Sequence, residues 1–246
     1  MSRYTSSLLI RLERYLSLLE DERTAVARLE KAELRLDRGT VLLERGEASE
    51  KFYVLKSGWA VVRTQPRRGH SSIARIYLPG EVIGFAEIGL SVTPHTVVMQ
   101  TDGTVGAFGK DHLPELWVHH PRLMSLLTAL SSLDQIALRD QIFTLTRLDA
   151  RDRLIYFLLS LRSRLAVSIR GMGDRFQLPF NQQELGDVLG ITSVYVNKIL
   201  RQLSDAGEIE IDRPYIRLLE REKWIAHVDF IDRFAEVDTS WFPRAA

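Results

Sequence analysis

Cysteine is absent from the 246 residues. That absence excludes disulfides, thiolate zinc sites and cysteine-held iron–sulfur clusters, and leaves methionine as the only sulfur open to oxidation. Long apolar runs are missing too. No stretch approaches the run of about 18 apolar residues that a membrane span needs. Arg11, Glu13 and Arg14 interrupt "SSLLIRLERYL", where a secretory leader would keep its apolar region. We therefore expect a cytoplasmic protein with no membrane segment. Charge of one sign is also lacking. Lys and Arg number 33 against 32 Asp and Glu, so no broad basic face advertises nucleic acid, while a local basic surface remains compatible with the balance. There is no Gly-rich phosphate loop, nucleophile elbow or H-E-x-x-H helix. His70, His95 and His112 are scattered singly, whereas a cupin-like metal site needs clustered ligands. No catalytic residue, metal ligand or cofactor is assigned.

What is present is a 45% hydrophobic chain long enough for one large domain or two ordinary ones. Leu9, Leu12, Leu16 and Leu19 recur at spacings of three and four, which predicts an amphipathic helix, and Ser17 with Glu20 forms a capping box that restarts it toward Leu29. From Leu36 the pattern becomes β-rich. "TVLLE", "KFYVLK", "WAVVRTQ" and "SIARIYL" are short strands separated by Gly39, Gly46, Ser57-Gly58 and Pro66 to Gly69, and predict a compact sandwich or barrel. "LPGEVIGFAEIGLSVTPHTVV" adds a tight turn, a short strand, a loop and a second strand. It is either a pocket that clasps a small anion or only a hairpin.

Pro121 suits a first helical turn, and Leu123, Leu126, Leu127, Leu130, Leu133, Ile136 and Ala137 continue with helical period to Arg147. The stripe from Leu123 to Ala137 approaches an a/d seam, which a helix from a second subunit or the chain's own β domain would cover. His119 and His120 form a loop before it. "RDRLIYFLLSLRSRL" is a further helix, "RGMGDR" a loop, and a domain boundary falls near Leu148 to Ala150.

The segment "LPFNQQELGDVLGITSVYVNKILRQLSDAGEIEI" holds two helices. Leu185, Val188 and Leu189 line one, and Val196, Ile199, Leu200 and Leu203 line the other, with Gly190-Ile191-Thr192 as the turn and Asn181 with Glu184 as a capping box. This is a helix-turn-helix, and "GEIEI" and "YIRLL" joined by "DRP" add a β-hairpin wing. A second helix of this kind lies in a major groove. Ser193, Val194, Asn197 and Lys198 form its outward set: Asn197 suits adenine, Lys198 guanine or phosphate, and Val194 a thymine methyl. Gln182 and Arg201 suit backbone phosphates, and Tyr195 either contacts DNA or packs on the domain. Arg213 and Arg217 on the wing either touch phosphate or are solvated strand residues.

Gly39, Gly46, "FYVLKSG" with Gly58, "LPGEVIG", "LDARDRL" and "QQELGDVLGITSVYVNKILRQL", in that order, resemble the CRP/FNR family of bacterial transcription regulators over roughly Leu16 to Leu219. The resemblance implies a cyclic-nucleotide-binding-type β-roll, a dimerising helix, and a winged helix that binds a promoter near RNA polymerase. It does not carry the effector. Cyclic-AMP-binding members hold the phosphate with a Glu and an Arg-Ser pair. Counted from Gly80, those positions are Phe85 and His95-Thr96, and the adenine-contacting pair on the dimer helix falls near Leu138 and Arg139. None matches. Oxygen sensing of the FNR type requires the missing cysteines.

The expected architecture is α+β: an N-terminal double-stranded, jelly-roll-like β-roll with helices (1–120), a dimerisation helix (121–148), a winged helix-turn-helix domain (149–221) and a helical C-terminal extension (222–246). Its expected partners are a palindromic double-stranded operator and a second copy of the chain. Gly84, Phe85, His95, Thr96, Leu138 and Arg139 are the candidate effector pocket. A DNA-binding regulator with an unidentified effector, other than cyclic AMP, is the principal reading. A ligand-independent regulator and a cupin-shaped small-molecule or metal enzyme domain are the alternatives.

Overall fold

A computed structural model describes residues 6–64 and 71–244. Gln65, the expected loop at Pro66 to Gly69 and His70 lie outside the described residues. Helices α1 (Ser7–Glu13) and α2 (Glu20–Leu29) lead into eight strands: β1 (Ala32–Leu36), β2 (Val41–Leu43), β3 (Lys51–Ser57), β4 (Ala60–Thr64), β5 (Ser72–Tyr77), β6 (Val82–Ile83), β7 (Thr96–Met99) and β8 (Gly103–Gly109). They form two four-stranded sheets, ordered β1-β8-β3-β6 and β2-β7-β4-β5, with every pairing antiparallel. Alternation explains why both sheets are so apolar. Tyr53, Leu55, Ala60, Val62 and Tyr77 fill the space between them. Phe52 and Val54 face outward onto α1 and α2, and Trp59 and Val61 face outward onto the C-terminal half of the chain.

The remaining elements are α3 (Leu113–His119), α4 (Pro121–Arg147), α5 (Ala150–Ser168), β9 (Arg175–Gln177), α6 (Gln182–Leu189), α7 (Ser193–Asp205), β10 (Ile209–Asp212), β11 (Tyr215–Leu218) and α8 (Arg221–His227). β-Roll, long helix and winged helix-turn-helix thus follow in the expected order. The wing has a third strand, β9, pairing with β11. At the end of α4, Leu148 turns extended and Asp149 restarts the helix by accepting from the Asp152 N–H at 2.9 Å.

Several local expectations are corrected. The N-terminal leucines do not share one stripe: α1 ends at Glu13, Leu8 and Leu12 are its buried leucines, and Leu19 is exposed. Ser17 caps nothing. Helix α2 begins after Leu19, whose N–H donates to the Glu22 carboxylate at 2.8 Å. His119 is the last residue of α3 and not part of a loop. On α4, Leu123, Leu126, Leu127 and Leu130 are buried with α1, α2 and β3 in their own chain. The uncovered apolar residues lie further on: Leu138, Ile142, Phe143 and Leu145. The C-terminal extension is helical only to His227. Beyond it an irregular strap returns to the N-terminal helices. Asp232 accepts from Ser163 and from the Phe234 N–H, Arg233 grips Asp140 of α4 at 2.8 and 3.1 Å, and Tyr15 donates to the Phe234 carbonyl at 2.7 Å. Phe234 and Phe242 are buried, while Ile231 is exposed.

The turn at "LPGEVIG" is the mechanical centre. Gly80 has φ +86°, and a Cβ there would lie 2.6 Å from both the Ser168 hydroxyl and the Ser7 carbonyl, so only glycine lets α1 and α5 close over the turn. The next residue, Glu81, is 3% exposed. Arg164 of α5 donates to both its carboxylate oxygens at 2.8 and 2.9 Å, Arg11 of α1 lies at 3.5 Å and Arg75 of β5 at 3.9 Å. Burial alone would raise this carboxyl, but Arg164, Arg11 and Arg75 outweigh it and hold it below the ordinary carboxylate range.

Because the folded value is depressed, these pairs stabilise the fold above the ordinary carboxylate pKa and are lost as pH falls through the folded value. We predict that Glu81→Gln lowers stability to urea by roughly 3 to 5 kcal/mol at neutral pH. The gap from wild type should close below about pH 4; a gap independent of pH would contradict the assignment. The strap makes a separate prediction. Phe234→Ala should cost about 3 kcal/mol, read as a shift in the urea midpoint.

Candidate nucleic-acid interface and interdomain cavity

The helix-turn-helix is built as its local chemistry dictates. The Asn181 side chain accepts from the Glu184 N–H at 2.9 Å, and the Glu184 carboxylate accepts from the Asn181 N–H at 3.0 Å, a complete capping box. Gly190 ends α6 in the left-handed region at φ +67°, and Thr192 caps α7 by accepting from the Tyr195 N–H at 3.3 Å. One determinant escapes the sequence reading. A Cβ on Gly186 would lie 2.5 Å from the Ile191 carbonyl, so this glycine lets the turn fold back on α6. Its signal was a glycine inside a helix, where it costs roughly 1 kcal/mol relative to alanine.

Val196, Ile199, Leu200 and Leu203 are buried, which turns the opposite face of α7 outward. Val194, Asn197, Lys198 and Arg201 are exposed at spacings of three and four and form one stripe. Val194 is 79% exposed. Ser193 is half-buried at the helix start and Tyr195 is exposed beside Lys198, whose Nζ lies 5.7 Å from its ring. Gln182, the first residue of α6, reaches Asn197 Oδ1 at 3.4 Å. The structure therefore places six of the seven predicted residues on α7 and brings the seventh, Gln182, to Asn197. Lys198 and Arg201 have no carboxylate partner among the described residues. Arg217 of the wing, by contrast, pairs with Glu210 at 3.1 Å.

The unit is not free of the β-roll. Glu184 also receives Arg38 at 2.9 Å, Arg63 at 3.0 Å and Gln100 at 2.9 Å, all from the roll. Burial would raise its carboxyl, but the bonds from Gln100, Asn181 and Arg63 more than offset this and hold it below the ordinary range. Ser71 donates to Asp187 at 2.6 Å, and Trp59 meets Phe180 edge-on with ring centroids 5.7 Å apart. Trp59, Val61, Ile73 and Ile76 share one continuous core with Leu154, Leu185 and Leu189.

Between β5, α4, α5 and α6 lies a cavity of about 330 Å³, within the size range of small-molecule sites. Of the six residues expected at an effector pocket, His95 and Leu138 line it. Phe85 lines a smaller neighbouring space with Arg11, Tyr77 and Glu81. Gly84 forms the left-handed turn before Phe85. Thr96 is engaged elsewhere, donating to Glu44 at 3.0 Å and accepting from the Arg45 N–H, and Arg139 is exposed on α4 outside the lining. The sequence reading missed Arg75, Tyr77, Asp134 and Arg153, which do line it, and Glu87, outside the six expected residues, lines it too. Arg75 lies 4.6 Å over the Tyr77 ring and donates to Asp134 at 2.6 Å; desolvation of Tyr77 raises its hydroxyl above the ordinary range. An arginine in the middle of the apolar strand "SIARIYL" was the available signal. No three metal-ligating side chains converge among the described residues, and no described helix is long and apolar enough to cross a membrane.

Comparison with known proteins agrees with this geometry. Residues 33–120 match the family model of the cyclic nucleotide-binding domain, and residues 152–223 match that of the Crp-like helix-turn-helix domain. The anaerobic regulatory protein of Haemophilus influenzae is 26% identical over 184 residues, covering 74% of this chain and 71% of that relative. The fumarate and nitrate reduction regulatory protein of Escherichia coli is 25% identical over 184 residues, covering 74% and 73%. In fold, FixK2 from Bradyrhizobium japonicum superposes with a TM-score of 0.70 at 22% identity, over 79% of this chain and 95% of that one. CooA from Carboxydothermus hydrogenoformans, a mutant structure, gives 0.62 at 20% identity, over 80% and 87%. With both halves matched in the family's own order, the chain belongs to the CRP/FNR family, as a DNA-binding transcription regulator with a cyclic-nucleotide-binding-type domain.

Proposed function

We propose that the protein acts as a homodimer that reads a palindromic operator with α7. The observation that carries this reading is the outward stripe of Val194, Asn197, Lys198 and Arg201 on a capped helix whose other face is fully buried. In a major groove Asn197 serves adenine, Lys198 guanine or phosphate, and Val194 a thymine methyl. Gln182, Ser193, Tyr195 and Arg201 position the helix on the backbone. Residues 149–221 are the DNA-binding domain, 1–120 the sensor-type domain and 121–148 the dimerisation helix. RNA polymerase is the partner that family membership suggests, and no catalytic role is assigned.

The dimer contact we assign to the later half of α4. Leu138, Ile142 and Leu145 recur at spacings of four and three and are 52%, 56% and 44% exposed, an apolar stripe left partly open to solvent. Two recognition helices held in this way would sit about 34 Å apart, one turn of DNA. The interdomain cavity is the effector site, and cyclic AMP is not its ligand. Phe85 offers no polar group, Thr96 is bonded to Glu44, and Arg75 is already matched by Asp134 and Glu81. A second reading, a regulator that needs no effector, is favoured by the core and the Glu184 bonds that already join roll and helix-turn-helix.

Purified protein should retard DNA from a selected random library. Asn197→Ala should weaken the selected site by roughly 1 to 3 kcal/mol and relax preference at one position; an unchanged site would remove α7 as the reader. Ile142→Glu should shift the protein to monomer in sedimentation and weaken palindromic binding far more than half-site binding. Saturating cyclic AMP should leave the melting temperature unmoved. A ligand at a hundred times its Kd adds about 2.7 kcal/mol, so a clear upward shift would refute the exclusion.

A further inference from the structure

The cavity's charges are unequally matched. Arg75 is paired with Asp134 and approaches Glu81, and Arg164 is clamped on Glu81. Arg75 also keeps a buried Nε without a partner, but only two lining residues have such an atom and no ion pair among the described residues. Arg153 of α5 pairs with no carboxylate among the described residues, and its Nε is buried without a hydrogen-bond partner. Glu87, in the 3-10 turn that follows Gly84, pairs with no cation among the described residues, and its Oε2 is buried and equally without a partner. Leaving such atoms unsatisfied is expensive, and in each residue the rest of the charged group has no charged partner either. The cavity walls are mostly apolar, with Ile76, Phe157, Leu161 and Leu189 among them.

We propose that the cavity binds an elongated dipolar molecule: an apolar body carrying an amine that faces Glu87 at one end and a carboxylate that faces Arg153 at the other. A guanidinium takes a carboxylate through paired, charge-assisted hydrogen bonds, and a carboxylate takes an ammonium in the same way. This rests on reading the cavity as the effector site and names the ligand's class. It also gives that ligand a route to the DNA surface. The other arm of Arg153 donates to the Leu189 carbonyl at 3.0 Å, the last residue of α6, and its guanidinium lies beside Gly190. Glu87 belongs to the roll. A molecule bonded at both ends therefore ties the roll to the turn that aims α7, and its binding raises DNA affinity by fixing that turn.

The probes are terminally aminated hexanoate, octanoate and decanoate, tested on the full chain by calorimetry beside the alkyl carboxylate and alkyl amine of matching length. At the best length the amino carboxylate should bind at least tenfold more tightly than either analogue. Arg153→Gln should abolish its advantage over the alkyl amine, and Glu87→Gln its advantage over the alkyl carboxylate. This change in selectivity is one that a poorly folded variant would not produce. The best probe should also tighten binding to the selected DNA site. If no probe binds wild type, or the ranking ignores both substitutions, the proposal is overturned. Intact DNA binding in that case leaves the regulator reading standing, whereas probe binding by a protein that retards no DNA overturns that reading and retains the dipolar site.

Discussion

One buried carboxylate organises this molecule. Glu81 follows the turn on which Gly80 admits α1 and α5, and it binds guanidiniums from α1, β5 and α5. Three cations around one anion would repel each other strongly if Asp134 did not pair with Arg75 from the α4 side. The arrangement gains little net stability over a hydrophobic plug of equal volume, because each charge gives up its hydration. Its effect is on position. Any displacement of α5 breaks a bidentate contact and strands a charge, so the helix that begins the C-terminal domain has one seat on the roll.

Glu184 does at the other end of that domain what Glu81 does at the first. As the third residue of α6 it closes a capping box, and the same carboxylate accepts from Arg38, Arg63 and Gln100 of the roll. The start of the helix-turn-helix and its attachment to the roll are thus one set of hydrogen bonds. The apolar layer of Trp59, Val61, Ile73 and Ile76 lies between these polar clamps and continues into the C-terminal core. Movement of α7 relative to the roll must part both clamps and expose that layer together. Such coupling makes two discrete arrangements more favourable than a continuum.

Local chemistry was legible in the sequence, and long-range chemistry was not. Asn181, Glu184, Gly190 and Thr192 act within a few residues of themselves, so the helix-turn-helix and its caps were readable from spacing alone. The β-branched runs gave four strands of the roll. β1 and β8 passed unnoticed because β1 reads "AELRL", with most of it exposed, and β8 reads "GTVGAFG", with three glycines. Periodicity on α4 said that leucines would be buried without saying by whom. Leu123 to Leu130 turned out to be covered by their own chain. The Glu81 and Glu184 clamps join residues up to 146 apart, and no period marks such pairs. The strap behaves likewise: Phe234 and Phe242 anchor an irregular chain, so the helix expected over 222–246 stops at His227.

Helix α4 changes partners along its length, and that change bears on signalling. Its face from Leu123 to Leu130 is buried in the N-terminal core, while Leu138 and Leu145 further on are exposed on one side and line the interdomain cavity on the other. A second copy seated on this stretch would compress the side chains that a ligand in the cavity would also touch. Occupancy and association would then act on the same two leucines, and linkage requires that each alter the other's free energy by an equal amount. Leu145 also lies 3.7 Å from where a Cβ on Gly190 would sit. The turn before α7 is therefore within one side chain of both events, and a shift of a leucine rotamer is enough to reach it.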